Sequence, residues 1–320
     1  MNDAANLTGR VALVTGAAGF IGSALCRALN TAGAVVHGVS RSPRESDRSV
    51  HWWQSDMLDM NEVRRIIDET RPHIVFHLAS QVTGLRSVDA VLPIFHANLM
   101  TTVNLLTALA GKDCERVILT GSLEEPAADG TLPVPGSPYA AAKFAASAYG
   151  RMFHGLYNLP VVILRLFMVY GPAQQDVKKL VPYVILSLLR GRAPELSGGS
   201  REIDWVYVDD VVDAYLAAVT AKEVGGQTID IGSGVLVSAK RVVEQLVEMI
   251  DPGISPKFGA IPERPMEQVR VANLAPAASL LGWKPRTPLR EGLQRTVNWY
   301  RMNARDSAPS LLRSGNGGTS

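Results

Sequence analysis

The segment Gly16-Ala-Ala-Gly19-Phe20-Ile21-Gly22 constrains this chain more than any other. It follows directly on the β-branched run Arg10–Thr15 and opens a stretch near 20–33 with helical spacing. Glycines at such a strand-to-helix corner permit a tight turn, close backbone approach by a ligand, and close packing of helix on strand. The amides at the helix start then face an anion, so the corner suits a pyrophosphate, with Gly16, Gly19, Phe20, Ile21 and Gly22 around it. The spacing is GxxGxxG rather than GxGxxG. Its placement between a first strand and a first helix gives it weight.

A corner of this kind needs a parallel β-α-β frame, and the sequence supplies one. Val35–Val39, Ile74–Leu78, Val117–Thr120 and Val161–Leu164 read as further buried strands. Helical spacing near 60–70, 97–110 and 139–158 falls between them. This alternation predicts an α/β protein, a doubly wound parallel sheet with helices on both faces. After Gly171-Pro172 the strands shorten (Asp204–Val208, Thr228–Ile231) and Pro and Gly become frequent. The expected organisation is a dinucleotide-binding domain over 1–172 that also carries the catalytic residues. A smaller C-terminal α/β substrate-binding lobe over 173–302 and a disordered tail over 303–320 follow. A length of 320 residues with 47% hydrophobic residues is enough for that core.

Composition removes several function classes. Thirty-two basic against thirty acidic residues argue against a nucleic-acid binder. Two cysteines exclude a disulfide scaffold and a four-Cys zinc site, and the six histidines lack metal-ligand spacing, so no metal is expected. Runs such as Val161–Leu164 and Tyr183–Leu189 are short of a membrane span, and the N-terminus shows no basic region followed by an apolar one. The expectation is a cytoplasmic protein without a membrane partner.

The end of the second strand reads the cofactor. A carboxylate there would bond both ribose hydroxyls of NAD(H) and repel a 2′-phosphate. This chain has Ser40, then Arg41, Arg44 and Arg48, so NADP(H) is favoured, with NAD(H) as the alternative. In Ser55-Asp56-Met57, Asp56 suits the adenine amino group or a helix N-cap.

Tyr139 and Lys143 lie four apart at the start of a predicted helix and share a face. An ammonium beside a phenol lowers the phenol's pKa towards a usable range. Ser122, in Gly121-Ser122-Leu123-Glu124-Glu125 after the strand Val117–Thr120, offers a hydroxyl to the same substrate oxygen. Glu124 reads either as a solvated loop residue or as a base. His77 reads as a strand-end packing residue, and Asp209-Asp210 as the cap of the next helix.

With these motifs the chain resembles an extended short-chain dehydrogenase/reductase of the branch acting on nucleoside-diphosphate sugars. The likeness extends over about residues 8–300. Further motifs carry it: His77-Leu78-Ala79-Ser80, Asn98 in His96-Ala-Asn98-Leu, Arg165 to Pro172, Trp205 to Asp210, Arg264-Pro265, and Leu281-Gly282-Trp283-Lys-Pro285. The resemblance implies a Rossmann-type fold. It makes Tyr139 the acid/base, Lys143 the residue that holds the ribose and tunes Tyr139, and Ser122 the partner of the reacting oxygen. Asn98 would support the backbone and a proton relay. Leu78, Ala79 and Ser80 would pass the nicotinamide ribose, and Met57 and Leu166 complete the cofactor set. Gln81, Ser122, Met168, Leu180, Arg201 and Arg264 would meet the sugar nucleotide. Family members usually form homodimers through the helices near 97–110 and 139–158.

Some positions depart from the family pattern. Met168 replaces an Asn. Ile203-Asp204-Trp205 replaces Arg-Asp-Phe, with Arg201 two residues earlier on the same strand face. Glu125-Pro126 replaces Tyr-Gly. A 4,6-dehydratase of this type needs an acid followed by a base after the catalytic hydroxyl, and here Leu123 precedes Glu124. Together with Ser40-Arg41, this favours NADPH-dependent reduction of a nucleoside-diphosphate 4-keto-6-deoxyhexose. The alternative is a nucleotide-sugar 4-epimerase or 4,6-dehydratase with an internally recycled cofactor. A non-catalytic dinucleotide sensor on the same fold is a remote third.

Overall fold

A computed structural model describes residues 6–46, 49–126, 134–263 and 266–303. The first part runs β1 (Val11–Thr15), α1 (Phe20–Thr31), β2 (Val35–Ser40), β3 (His51–Gln54), α2 (Met60–Thr70) and β4 (Ile74–His77). A 3-10 turn at Val88–Ala90, α3 (Val91–Ile94), a π-helical turn at Phe95–Met100 and α4 (Thr101–Leu109) then run on as one helix. After it come β5 (Arg116–Ser122), α5 (Pro138–Tyr157), β6 (Val161–Leu166) and β7 (Met168–Tyr170). The remainder is α6 (Leu180–Leu189), β8 (Glu195–Leu196), β9 (Glu202–Tyr207), α7 (Val208–Thr220), β10 (Thr228–Ile231), β11 (Leu236–Ser238), α8 (Ala239–Ile250), β12 (Lys257–Phe258), α9 (Leu274–Leu281) and α10 (Leu289–Asn303).

Seven parallel strands form the main sheet in the order β10-β6-β5-β4-β1-β2-β3. Successive side chains of a strand point to opposite faces, and the core divides accordingly. Ala12, Val14, Ile74, Phe76 and Ile118 pack on one face with α1 and α7. Leu13, Val75, Val117 and Leu119 pack on the other with residues of α2, α4 and α5. Burial on both faces is why these strands are continuous apolar runs rather than alternating ones.

Several boundaries differ from the sequence-based expectation. Residue 172 does not divide the chain spatially, because β10 returns from the C-terminal half and pairs with β6, completing the main sheet. Without it the buried edge of β6 would carry unpaired backbone groups. Two small sheets, β11-β9-β7 and β12-β8, lie outside the main one. β9 ends at Tyr207, and Val208 already begins α7. Asp209 and Asp210 are therefore inside the first turn and do not cap it. The Asp210 carboxylate instead accepts the amide and hydroxyl of Thr287, at 3.0 and 3.2 Å. Asp59, not Asp56, caps α2 by accepting the amides of Asn61 and Glu62. Helix α10 extends through Asn303, and the rest of the expected tail lies outside the described residues.

The helix expected near 97–110 begins at Val88. By length and composition, Val88–Leu109 is apolar enough to cross a membrane. In the fold it is a packed helix, with Ile94, Asn98, Thr101, Thr102, Leu105 and Leu106 turned into the protein. Pro93 is the third residue of α3, just after the 3-10 turn that opens the helix.

Candidate active site

The glycine corner is sterically closed to side chains. Gly16 has φ +68°, and a Cβ there would lie 2.7 Å from the Ala79 amide nitrogen. A Cβ on Gly22 would lie 2.2 Å from the Gly16 carbonyl oxygen. The Gly19 amide donates to that same carbonyl at 2.9 Å, and among the described residues no side chain caps α1. Half-buried Phe20 and Ile21 form the first turn beside it. A helix start free of side-chain caps, approached only over glycine, fits a dinucleotide pyrophosphate.

Ser40 ends β2 and is half-buried, so no carboxylate stands there. Arg41 and Arg44 are exposed beside it, and the Arg44 guanidinium lies 5.5 Å over the Trp52 ring. Arg48 lies outside the described residues. The Asp56 carboxylate is exposed and accepts the Leu58 amide at 3.1 Å, while Met57 is buried with its carbonyl bonded to Asn104. Leu78, Ala79 and Ser80 follow β4, half-buried, with the Leu78 and Ala79 backbone against Gly16.

Ser122 closes β5 in register with buried Leu166 of β6. Ser137 caps α5 by accepting the Ala140 amide, with Pro138 at the first helical position. That cap places Tyr139 in the first turn and Lys143 one turn later, both buried. The Tyr139 phenol is hydrogen-bonded to the Ser122 and Ser80 hydroxyls. Ser122 Oγ also accepts the Glu124 amide at 3.2 Å. The three expected residues Ser122, Tyr139 and Lys143 are thus brought to one place.

Their electrostatics differ from the expectation. Burial pushes the Tyr139 phenol well above its ordinary pKa; the bonds from Ser122 and Ser80 oppose this, and Glu124 and Glu125 reinforce it. Lys143 does not reverse the shift. Its Nζ lies 5.9 Å from the Tyr139 ring centroid and donates to the Thr120 carbonyl at 2.9 Å. Burial brings the Lys143 ammonium down to about 8, with Glu125 opposing. Here desolvation outweighs the neighbouring charge. His77 is buried between Thr15 and Thr102, bonded to both hydroxyls at 2.8 and 3.0 Å. Burial and then Lys143 bring its pKa to about 3, so it is a neutral hydrogen-bonding strut rather than a merely packed residue.

Asn98 occupies the π-helical turn and is 1% exposed. Its Oδ1 accepts Ser80 Oγ at 2.9 Å and the Gln81 amide at 2.7 Å, while Nδ2 donates to the Gln81 carbonyl at 3.1 Å. A π turn widens the helix by one residue and turns a side chain out of the regular pattern, a device frequent at functional sites. Ser80, bonded to both Asn98 and Tyr139, links this turn to the phenol.

The expected substrate residues are less uniform. Gln81 is exposed, with its backbone fixed by Asn98. Met168 is half-buried on β7 opposite Trp205, and Leu180 is half-buried at the start of α6. Arg201 precedes β9 rather than lying within it. It pairs with Glu267 at 2.9 Å and donates to the Gln268 carbonyl at 3.1 Å. Arg264 lies outside the described residues. Glu124 is half-buried; its carboxylate accepts Ser137 Oγ at 3.3 Å and shares a narrow cleft with Arg86, Arg201 and Glu267. Leu123 is buried in an apolar cluster with Phe167 and Ala272. Sequence reasoning missed Ser137 and Arg86. Ser-Pro before a helix is a capping signal for the first; Arg86 carried no local signal.

A dinucleotide corner on the first strand and a buried Ser-Tyr-Lys set define an NAD(P)-dependent enzyme of the extended short-chain dehydrogenase/reductase type. The chain belongs to the NAD dependent epimerase/dehydratase family, whose sequence pattern matches residues 12–232. It is 34% identical to a UDP-glucose 4-epimerase of Mycolicibacterium smegmatis, over 90% of this chain and 98% of that protein. It is 28% identical to a dTDP-glucose 4,6-dehydratase of Haemophilus influenzae, over 92% and 99% respectively. Among solved structures it resembles a UDP-glucuronic acid 4-epimerase from Bacillus cereus in complex with UDP-glucuronic acid and NAD. The TM-score is 0.81 and the identity 26%, covering 91% of this chain and 99% of that one.

Proposed function

We propose that the protein is a nucleotide-sugar 4-epimerase that recycles its nicotinamide cofactor within each turnover. The likeness to a UDP-glucose 4-epimerase, 34% identical over 90% of this chain, carries this reading over net reduction, and Leu123 sets it apart from a 4,6-dehydratase. Dehydration at C5–C6 needs an acid for the leaving hydroxyl and a base for the C5 proton. Leu123 occupies the acid's place and is buried against Phe167 and Ala272. The likeness to the two 4-epimerases supports the same choice over net ketone reduction, the first reading of the sequence.

A nicotinamide dinucleotide, held at the Gly16–Gly22 corner, would supply hydride acceptance and return. Tyr139 takes the proton of the C4 hydroxyl and returns it. Ser122 holds the C4 oxygen, where charge develops. Lys143 contributes a cation beside the phenol, and Asn98 fixes the Ser80–Gln81 backbone. The test is to incubate the protein with UDP-glucose or UDP-glucuronic acid. The expected result is the C4 epimer with no net change in reduced-nicotinamide absorbance. Stoichiometric oxidation of NADPH by a 4-keto-6-deoxy nucleotide sugar, with no epimerisation of intact sugars, would instead establish the reductase.

For the cofactor, the absence of a carboxylate at Ser40 and the exposed Arg41 and Arg44 support NADP(H). The NAD in the Bacillus cereus epimerase makes NAD(H) the competing reading. Arg41→Ala is expected to weaken NADP(H) binding about tenfold or more, the equivalent of a charge-assisted bond of about 1.5–3 kcal/mol. NAD(H) affinity should stay nearly constant; calorimetric titration of both cofactors checks this, and equal losses would remove Arg41 from the 2′-phosphate. For assembly, exposed Val91, Leu92 and Phe95 and, on the neighbouring α5, exposed Tyr149, Leu156 and Tyr157 support a homodimer through these helices.

A further inference from the structure

Glu125 is a charged residue that the fold buries to 2% exposure. It lies three residues after Ser122, beneath the catalytic turn. Its Oε1 accepts the Ser122 amide at 2.7 Å, and the Ser147 side chain hydrogen-bonds the same carboxylate. Ser147 is buried on α5, four residues after Lys143 and on the same helix face. The carboxylate therefore joins the backbone of Ser122 to the helix that carries Tyr139 and Lys143. Gly121 makes room for it, since a Cβ there would lie 2.6 Å from Oε1. The turn itself is clamped from the other side: Arg270 donates to the carbonyls of Leu123 and Glu125, at 3.1 and 2.7 Å.

Resting on the reading of Ser122, Tyr139 and Lys143 as the reacting set, we propose that Glu125 is a positioning residue of this enzyme. It fixes the Ser122 backbone and supplies a buried counter-charge to the pocket where Lys143 Nζ sits on the Thr120 carbonyl, two residues before Ser122 on the same strand.

A buried ammonium with only a carbonyl for a partner is costly, and a carboxylate nearby reduces that cost. Glu125 is the group that holds the Lys143 pKa up against burial. Its own carboxyl is raised by burial and stabilised by the Ser122 amide, Ser147, Arg165 and Lys143. Other charged or titratable groups face this pocket from the elements packed around it. Tyr139 shares α5 with Lys143, and His77 faces it from β4. Arg165, on β6, is already paired with Asp230 at 2.6 Å. Arg270 interacts with Arg165, Asp230 and Glu125, and Glu124 acts on Tyr139. Glu125 is the charge that acts on Lys143, while it also feels Arg165.

The test is Glu125→Gln, which keeps an acceptor for the Ser122 amide and removes the charge. In protein labelled with ¹³C at lysine Cε and free of cofactor, the Lys143 signal is the one absent from Lys143→Arg. Its titration midpoint is expected to fall by about one pH unit or more in Glu125→Gln. Glu125→Asp retains the charge and should hold the midpoint within about 0.3 units while loosening Ser122. In turnover, the alkaline limb of the Glu125→Gln profile should move to lower pH. Near pH 8 the rate should fall about tenfold, with the deficit closing as the pH is lowered and substrate KM little changed. An unmoved Lys143 midpoint, or equal shifts in the Gln and Asp variants, overturns the proposal. Should Glu125→Gln not fold, Glu125→Val, which needs no buried acceptor, carries the same expected shift. The titration requires no substrate, so it is separable from failure of the epimerase reading.

Discussion

Tyr139→Phe is expected to lower turnover by about 10²–10⁴-fold, the usual worth of a positioned proton-transfer group. Cofactor affinity should stay within about twofold, because the change deletes one oxygen and no part of the glycine corner. The ring keeps its packing against Ala90, Ile94 and Ala142, so the fold is retained. What disappears is the phenol hydrogen-bonded to both Ser122 and Ser80. Burial raises this phenol's pKa, so before it can take the C4 hydroxyl proton it must give up its own, and the phenolate so formed needs a compensating cation. Lys143 is the nearby cation, brought by burial to about 8. Turnover should therefore fall away on the alkaline side, as the ammonium is lost above that value, and persist below it. Single-turnover rates, with cofactor binding measured separately, check the variant. Turnover within about threefold of the unaltered protein would displace Tyr139 from the acid/base role.

Much of this geometry is legible in the sequence for a definite reason. Strands buried on both faces must be apolar throughout, so Val11–Thr15, Ile74–His77 and Val161–Leu166 stand out as runs. The glycine corner is legible because no other residue fits where Gly16 meets Ala79 and Gly22 meets Gly16. Tyr139 and Lys143 are legible because helical spacing converts a sequence offset into a shared face. Other features depend on partners distant in sequence. Strands β8 and β12 are two residues each, too short for any periodicity. β10 belongs to the main sheet only because β6 has a free edge, so the division at 172 follows composition and misses topology. The π turn holding Asn98 leaves no mark in a string of residues whose apolar pattern continues through it. Nothing in the sequence assigns Glu125 a role, and only the fold turns it inward to Ser122 and Ser147.

Asp204→Ala is expected to cost about 3–5 kcal/mol of stability, a large loss for a single side chain. Asp204 is 1% exposed on β9. One carboxylate oxygen accepts the Ser233 amide and hydroxyl at 2.5 and 2.8 Å, and the other accepts the Gly234 and Ala272 amides, each at 3.0 Å. Truncation leaves three backbone N–H groups without their acceptor. Each buried orphan costs about 1–3 kcal/mol, partly recovered where water enters. Asp204→Asn rescues only part of this, because its Oδ1 still accepts on one side while its Nδ2 donors face N–H donors on the other. For a chain of this size the loss corresponds to a melting temperature lower by about 10 °C. Exposed Glu202, two residues earlier on the same strand, provides the contrast, since Glu202→Ala should change stability by no more than about 0.5 kcal/mol. The damage should also reach the chemistry. Ala272 packs on Leu123, and Arg270, two residues before it, clamps the turn after Ser122. Releasing the 270–273 segment from Asp204 therefore loosens the support of the turn after Ser122. Turnover should fall below the unaltered protein's even at temperatures where the variant is fully folded. Thermal unfolding followed by circular dichroism, with assays well below the transition, measures both effects. A melting temperature within about 2 °C of the unaltered protein would mean that other contacts hold the 232–234 and 272 segments.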